Sequence, residues 1–137
     1  MAQAVSPSPV ALDVPYSPTC DCPPNHLSCL PPKEWIKCQL GVWRFNYERR
    51  DIRDKRVHPA TFPISLAKRV IELFTHEGEL ILDPFVGSGT TLLAAQDMLR
   101  NAVGFDLHPG YIDLSWRRLR EEAKAPLFHG DAKQIAI

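Results

Sequence analysis

The stretch "LILDPFVGSGTTLLAA" (residues 80–95) joins an apolar run to an acid, a glycine-rich turn and a helix-like run. Leu80, Ile81 and Leu82 predict a short buried strand that ends at Asp83. Reading outward, "GTTLLAAQDMLR" predicts a helix directly after the turn. Upstream, "SLAKRVIELFT" places Leu66, Val70, Leu73 and Phe74 at i, i+4, i+7 and i+8, one helix face expected to meet the core. Downstream, "NAVGFD" predicts a second strand, again ending in an acid, Asp106. "PGYIDLSWRRLREEA" predicts a third helix, with Pro109 suited to its first turn. "APLFHGDA" predicts a third strand and its exit loop. Alternation of this kind predicts an α/β domain with a partial parallel sheet of about three strands and crossover helices.

The chain has 137 residues, enough for one small domain. Its 16 Lys and Arg balance 16 Asp and Glu, so net charge neither points to nor excludes a nucleic-acid partner. No run of about 18 apolar residues predicts a membrane span. The N-terminus lacks the basic-then-apolar order of a secretory signal, so a soluble cytoplasmic protein is expected. The four cysteines then read as reduced thiols or metal ligands before disulfides. Eight of the 13 prolines fall in the first 32 residues, where missing donors and fixed φ exclude a sustained helix or central strand. Residues 1–32 are therefore expected to be an extended, disordered arm, and residues 33–137 the folded part.

The turn's ligand can be narrowed by its residues. A phosphate-binding loop of the G-x-x-x-x-G-K-[ST] type needs a lysine, and residues 86–92 have none. The G-x-G-x-x-G pattern also fails, because Leu92 stands where the third glycine belongs. Asp83 would repel a pyrophosphate and attract a cation, such as an amino group or a sulfonium. Asp106, 23 residues later at a second strand end, is placed to accept hydrogen bonds from both hydroxyls of a ribose. Together they favour a cationic, ribose-containing ligand such as S-adenosylmethionine.

"DPFVGSGTT" resembles motif I of the DNA amino-methyltransferases, which methylate the exocyclic amine of adenine or cytosine. "HPATFPISLAKRVIELFT" (residues 58–75) resembles their motif X, "NAVGFDLHPGYIDLSWRRL" their motif II, and "FHGDA" their motif III. The match covers about residues 33–137. It implies a Rossmann-like S-adenosylmethionine-dependent methyltransferase fold, with DNA as partner and a place in DNA methylation and restriction-modification. It also implies roles. His58, Phe62 and Pro63 would border the methionine end of the cofactor; Asp83, Phe85, Gly87, Gly89, Thr90 and Thr91 would form the loop beneath it. Asp106 would hold the ribose, Leu107 would pack near the adenine, and Asp131 with Ala132 would lie near the adenine amino group.

The family's catalytic motif IV, [DNS]-P-P-[YFW], has no match. The nearest string is "DVPY" (residues 13–16), which makes Asp13 and Tyr16 weak candidates, and "CPPN" (residues 22–25) is weaker. A truncated or split member is therefore expected: the cofactor-binding portion of a site-specific DNA methyltransferase, transferring methyl by direct in-line attack of the base amine. The alternatives are a non-catalytic or split-enzyme module whose partner chain supplies motif IV and target recognition, and a methyltransferase for RNA or a small molecule.

Other residues admit sharper and plainer readings. Cys20, Cys22, Cys29 and Cys38, with His26 among them, could supply four thiolates to zinc. Two C-x2-C knuckles are missing, however, and Cys38 falls in a helix-like run, so unpaired cysteines are expected. The run 44–56 holds six basic residues; Arg49, Arg50 and Arg53 are candidates for DNA phosphates, against a self-paired face with Glu48, Asp51 and Asp54. Trp35 and Trp43 are expected as core or lid residues, His58 as a loop-fixing residue, and His129 as a cap on the third strand.

Overall fold

The computed structural model describes residues 3–4, 14–53, 55–119 and 127–135. In chain order the elements are β1 (Gln3–Ala4), α1 (Pro32–Lys37), α2 (Arg49–Arg53), α3 (Ile64–Phe74), β2 (Leu80–Asp83), α4 (Thr90–Asp97), β3 (Asn101–Asp106), α5 (Pro109–Arg118) and β4 (Leu127–His129). A 3-10 turn, Ala132–Gln134, follows. The sheet order is β1-β4-β3-β2 and all pairings are parallel. The expected three strands are present, joined by two residues of β1 at the β4 edge. The outer edge of β2 has no strand beside it among the described residues.

Side chains on β3 alternate between two faces, as a strand requires. Ala102 faces a core formed with Ile64, Ala67 and Ile71 of α3, residues 92–95 of α4, Ile112 of α5 and Leu127 of β4. Val103 and Phe105 belong to a second cluster, where they meet Phe128 and Val14. The Phe105 and Phe128 rings stack at 5.0 Å. Helices α3, α4 and α5 therefore cover one face of the sheet.

The buried face of α3 overlaps the predicted one at Leu73, which is fully buried, and differs elsewhere. Val70 is 42% and Phe74 63% exposed, and Leu66 is only half-buried. The buried residues are Ile64, Ala67, Ile71 and Leu73. The helix carries two apolar stripes, and the one with Ala67 lets α3 lie close against Ala94 and Ala95 of α4. The carbonyl of Leu73 accepts the Trp35 indole N–H at 2.8 Å.

Residues 14–31 have no helix or strand, as their prolines dictate, yet they pack on the domain rather than extending from it. Val14 and Ser28 are buried, and Thr19 N–H donates to the Glu77 carbonyl at 2.8 Å. The pattern of prolines predicts missing secondary structure; it does not predict missing contacts.

Two side chains, Asp51 and Arg100, serve helix ends in ways that pattern reading does not expose. The buried carboxylate of Asp51 accepts Glu48 N–H at 2.8 Å and Ile64 N–H at 3.2 Å, capping α2 and α3 together. At the far end of α4, Leu99 adopts φ 60°. Arg100 N–H then reaches the Ala95 carbonyl at 2.9 Å and Leu99 N–H the Gln96 carbonyl at 3.3 Å, the paired bonds of a Schellman ending. The Arg100 guanidinium donates to the carbonyls of Thr75 and Met98, each at 2.7 Å, satisfying acceptors at the ends of α3 and α4.

Candidate functional site

Asp83 ends β2 and Asp106 ends β3. In register, Asp83 is level with Gly104, and Asp106 is level with His129. Asp131 follows two residues beyond β4. Three acids thus stand at the carboxyl ends of three adjacent parallel strands, the end where α/β sheets bind ligands.

The turn after β2 is fixed from several sides. Asp83 Oδ1 accepts Phe85 N–H at 3.0 Å. Val86 N–H donates to the Phe105 carbonyl at 2.8 Å, drawing the turn over β3. Asp106 Oδ2 accepts Gly87 N–H at 2.8 Å, and its Oδ1 accepts His108 N–H at 2.8 Å. Each oxygen of a carboxylate has two lone pairs, so both keep capacity for a ligand. Asp106 is therefore a loop anchor as well as a candidate for the ribose-holding role.

Two glycines in the turn have positive φ, 51° at Gly87 and 81° at Gly89. A Cβ at Gly87 would lie 2.7 Å from His58 Nε2, and one at Gly89 would lie 2.9 Å from Ser115 Oγ. The backbone must pass close to both side chains, which only glycine permits. His58 packs edge-on to Tyr111 at 4.5 Å, and its carbonyl accepts the Thr61 hydroxyl at 2.8 Å. His58 thus fixes the loop against α5. Gly89 is the N-cap of α4 and supplies no side-chain cap.

The turn is clamped from below by Ser115, Arg118 and Thr61, which sequence reading did not single out. Ser115 Oγ donates to the Gly87 carbonyl at 2.7 Å. Arg118 donates to the Ser88 carbonyl at 2.7 Å and to Thr90 Oγ1 at 3.1 Å. Thr61 Oγ1 lies 3.2 Å from Ser88 Oγ. Ser115, Arg118, Thr61, Ser88 and Thr90 are all buried. Nothing in "SWRR" distinguishes these polar residues from a solvated face; only folding α5 back onto the turn does so. Thr90 thereby serves the scaffold, while Thr91 is half-buried.

Three apolar residues of the loops at this end of the sheet are exposed. Phe85 is 77% and Leu107 69% exposed, with Phe62 also exposed. Pro63 is the N-cap residue of α3, so Phe62 enters from the segment just before that helix. His129 Nε2 donates to the Leu107 carbonyl at 2.9 Å, tying the end of β4 to the loop after β3. Asp131 accepts Lys133 N–H at 2.9 Å and opens the 3-10 turn that contains Ala132.

Asp13 lies outside the described residues. Tyr16 is 74% exposed, and its neighbours Ser17 and Thr19 pack against Gly78 and Glu77, at the amino end of β2. Asp83 and the turn lie at the opposite end of that strand.

Within the basic run, Arg50 is paired with one acid of the run and one acid of α4. Arg50 bonds to Asp97 at 2.8 Å and Glu48 at 3.1 Å, and Lys68 reaches Asp97 at 2.8 Å. Burial works against the Asp97 charge, but hydrogen bonds from Lys68 and Arg50 outweigh it and hold the carboxyl below its ordinary range. Arg50 therefore links α2 to the end of α4. Arg49 is exposed, whereas Arg53 has an interaction of its own. Trp35 and Trp43 are half-buried and donate to the Leu73 and Cys38 carbonyls, the second at 3.0 Å.

The cysteines divide differently from their sequence order. All four are free thiols. Cys20, Cys22 and Cys29 cluster, but Cys38 stands apart, its sulfur accepting from Arg69 at 2.9 Å. His76, 47 residues after Cys29, takes the fourth place, and His26 contributes only its carbonyl. Crowding separates two thiols: the Cys22 backbone hydrogen bond chiefly lowers Cys20 to about 7, and the hydrogen bond with Cys20 chiefly raises Cys22 to about 12.

A sequence model of the DNA methylase family matches residues 24–117. The chain is 38% identical over 100 residues to the type II methyltransferase M.ScaI of Streptomyces caespitosus, covering 66% of this chain and 33% of the relative. It is 39% identical over 80 residues to M.HindIII of Haemophilus influenzae, covering 58% of this chain and 26% of the relative. Among solved structures it resembles TTHA0409 of Thermus thermophilus, described as a putative DNA modification methylase and crystallised with S-adenosyl-L-methionine. That match has a TM-score of 0.54 and 29% identity, over 74% of this chain and 39% of the other. The chain thus spans about a third or less of the length of these two curated relatives. Among the described residues, no helix is long and apolar enough to cross a membrane.

Proposed function

The chain belongs to the DNA amino-methyltransferase family, and we propose that it is the S-adenosylmethionine-binding portion of an enzyme that methylates the exocyclic amine of adenine or cytosine in DNA. One observation carries the reading: Asp83, Asp106 and Asp131 line the carboxyl ends of β2, β3 and β4 around a positive-φ glycine turn. The donor set fits the cofactor. Two acids and no phosphate-binding lysine suit a cation with a ribose, and the exposed Phe85 and Leu107 suit an adenine ring. The Thermus relative was crystallised with this cofactor.

When bound, S-adenosylmethionine supplies an electrophilic methyl group on a sulfonium. Asp106 would orient the ribose with the lone pairs left by Gly87 and His108. Asp83 would attract the cationic end, bordered by His58, Phe62 and Pro63. Gly87 and Gly89 would let the ligand approach the backbone, with Thr91 at the first turn of α4. Asp131 and Ala132 would flank the adenine amino group. No [DNS]-P-P-[YFW] string occurs in the 137 residues, so no residue of this chain is assigned to accept hydrogen bonds from the target amine. Among the described residues the outer edge of β2 is open, which favours further polypeptide completing the sheet. DNA would be reached through that larger assembly.

Calorimetric titration should show S-adenosylmethionine binding and no ATP binding by the folded chain. Tritiated-methyl transfer to unmethylated DNA should be absent when this chain is assayed alone. A folded chain that binds no S-adenosylmethionine sinks the proposal. Transfer to RNA in preference to DNA would move the substrate class.

A further inference from the structure

We propose that Cys20, Cys22, Cys29 and His76 form a structural zinc site that staples the segment before α1 to the turn between α3 and β2. Their four donor atoms lie within 4.8 Å of one another. Cys20 Sγ is 3.4 Å and Cys29 Sγ 3.7 Å from His76 Nδ1. A tetrahedral ion with sulfur at about 2.3 Å and nitrogen at about 2.0–2.1 Å sets donors about 3.5–3.8 Å apart. The two sulfur–nitrogen spacings match that geometry, and every other pair of donors lies within 4.8 Å.

The imidazole is oriented for the task. His76 Nε2 lies 3.1 Å from the His26 carbonyl, which can only accept, so the ring proton sits on Nε2. The lone pair of Nδ1 then faces the thiols. A histidine ligand whose other nitrogen donates to a backbone carbonyl is the usual supporting arrangement at zinc. Glu77 N–H donates to Cys29 Sγ at 3.3 Å, which would stabilise a thiolate there. His76 N–H is held by Glu79 at 2.6 Å, and the Thr19–Glu77 bond fixes the facing stretch of chain.

The chemistry selects zinc and a structural role. Three thiols cannot be consumed in disulfide pairs, whereas three thiolates and a neutral imidazole complete a tetrahedral site. Four protein donors leave no open position for water or substrate. The cluster also lies at the amino end of β2, away from Asp83 and the glycine turn. Residues 14–31 lack secondary structure, and an ion held by donors 47 to 56 residues apart in sequence would fasten them to the domain. Binding would release up to three thiol protons per ion, so affinity should fall in acid.

The full chain, purified from zinc-supplemented medium and dialysed against a weak chelator, should keep about one zinc ion per molecule. His76→Ala and Cys29→Ser should each lower retained zinc by roughly tenfold or more, while Cys38→Ser should not change it. Cobalt(II) added to metal-free full chain should give thiolate charge-transfer and tetrahedral ligand-field bands. Absence of both zinc and those bands would overturn the site, as would full retention in His76→Ala or dependence on Cys38. If a variant does not fold, the cobalt spectrum of the unaltered chain decides.

Discussion

The carboxylate of Asp106, at the end of β3, accepts the backbone N–H of Gly87 at 2.8 Å, so one acid links the second strand of the motif to the turn after the first. Removing it has two consequences. Asp106→Ala leaves the Gly87 and His108 amides without that partner, which should cost about 1–3 kcal/mol of stability. It should also weaken S-adenosylmethionine binding by at least about tenfold, since a charge-assisted bond contributes about 1.5–3 kcal/mol. Chemical denaturation and calorimetry separate the effects. Unchanged affinity in a folded variant would remove Asp106 from the cofactor site.

Gly89 stands at φ 81°, and a Cβ there would lie 3.2 Å from Ser115 Cα, a backbone atom that cannot swing away. Gly89→Ala should therefore destabilise by about 2–4 kcal/mol, combining left-handed strain with overpacking. Gly87→Ala meets only the end of the His58 ring. Its cost should be smaller and partly relieved by His58→Ala, which a double-mutant cycle in thermal unfolding would read.

Asp51 is buried and caps both α2 and α3. Asp51→Ala should cost about 2–3 kcal/mol and Asp51→Asn less, because one amide acceptor survives. Equal midpoints in urea for all three proteins would contradict the double-cap role.

Asp97 is held below the ordinary carboxyl range: burial opposes its charge, but Lys68 and Arg50 outweigh that cost. A group with a depressed folded pKa stabilises the fold above its unfolded value, about 3.9, and loses that contribution as pH falls through the folded value. Stability should thus decline below about pH 4, and Asp97→Asn should flatten that decline. At neutral pH the same change should cost about 1 kcal/mol, less in high salt, because the partner cations are partly exposed. Melting curves across pH and ionic strength would test both signs.

Leu99 adopts φ 60° at the end of α4. Glycine takes that conformation without the side-chain clash, so Leu99→Gly should stabilise the chain by about 0.5–1 kcal/mol. A lower melting temperature would show that the exposed leucine makes a compensating contact.

Sequence pattern and tertiary structure divided the outcome along physical lines. Local order specified the strands at residues 80–83, 101–106 and 127–129, the helices at residues 90–97 and 109–118, and the acids at the strand ends, because strand and helix periods and glycine turns are written in neighbouring residues. The family resemblance followed from the same contiguous strings. Long-range pairing decided the rest. Which of two apolar stripes on α3 turns inward depended on Ala67 meeting α4, and that Ser115 and Arg118 clamp the turn depended on α5 folding back. His76 joins Cys20, Cys22 and Cys29 in place of Cys38 because the end of α3 brings it there; no spacing in the chain encodes a neighbour found only after the sheet has formed.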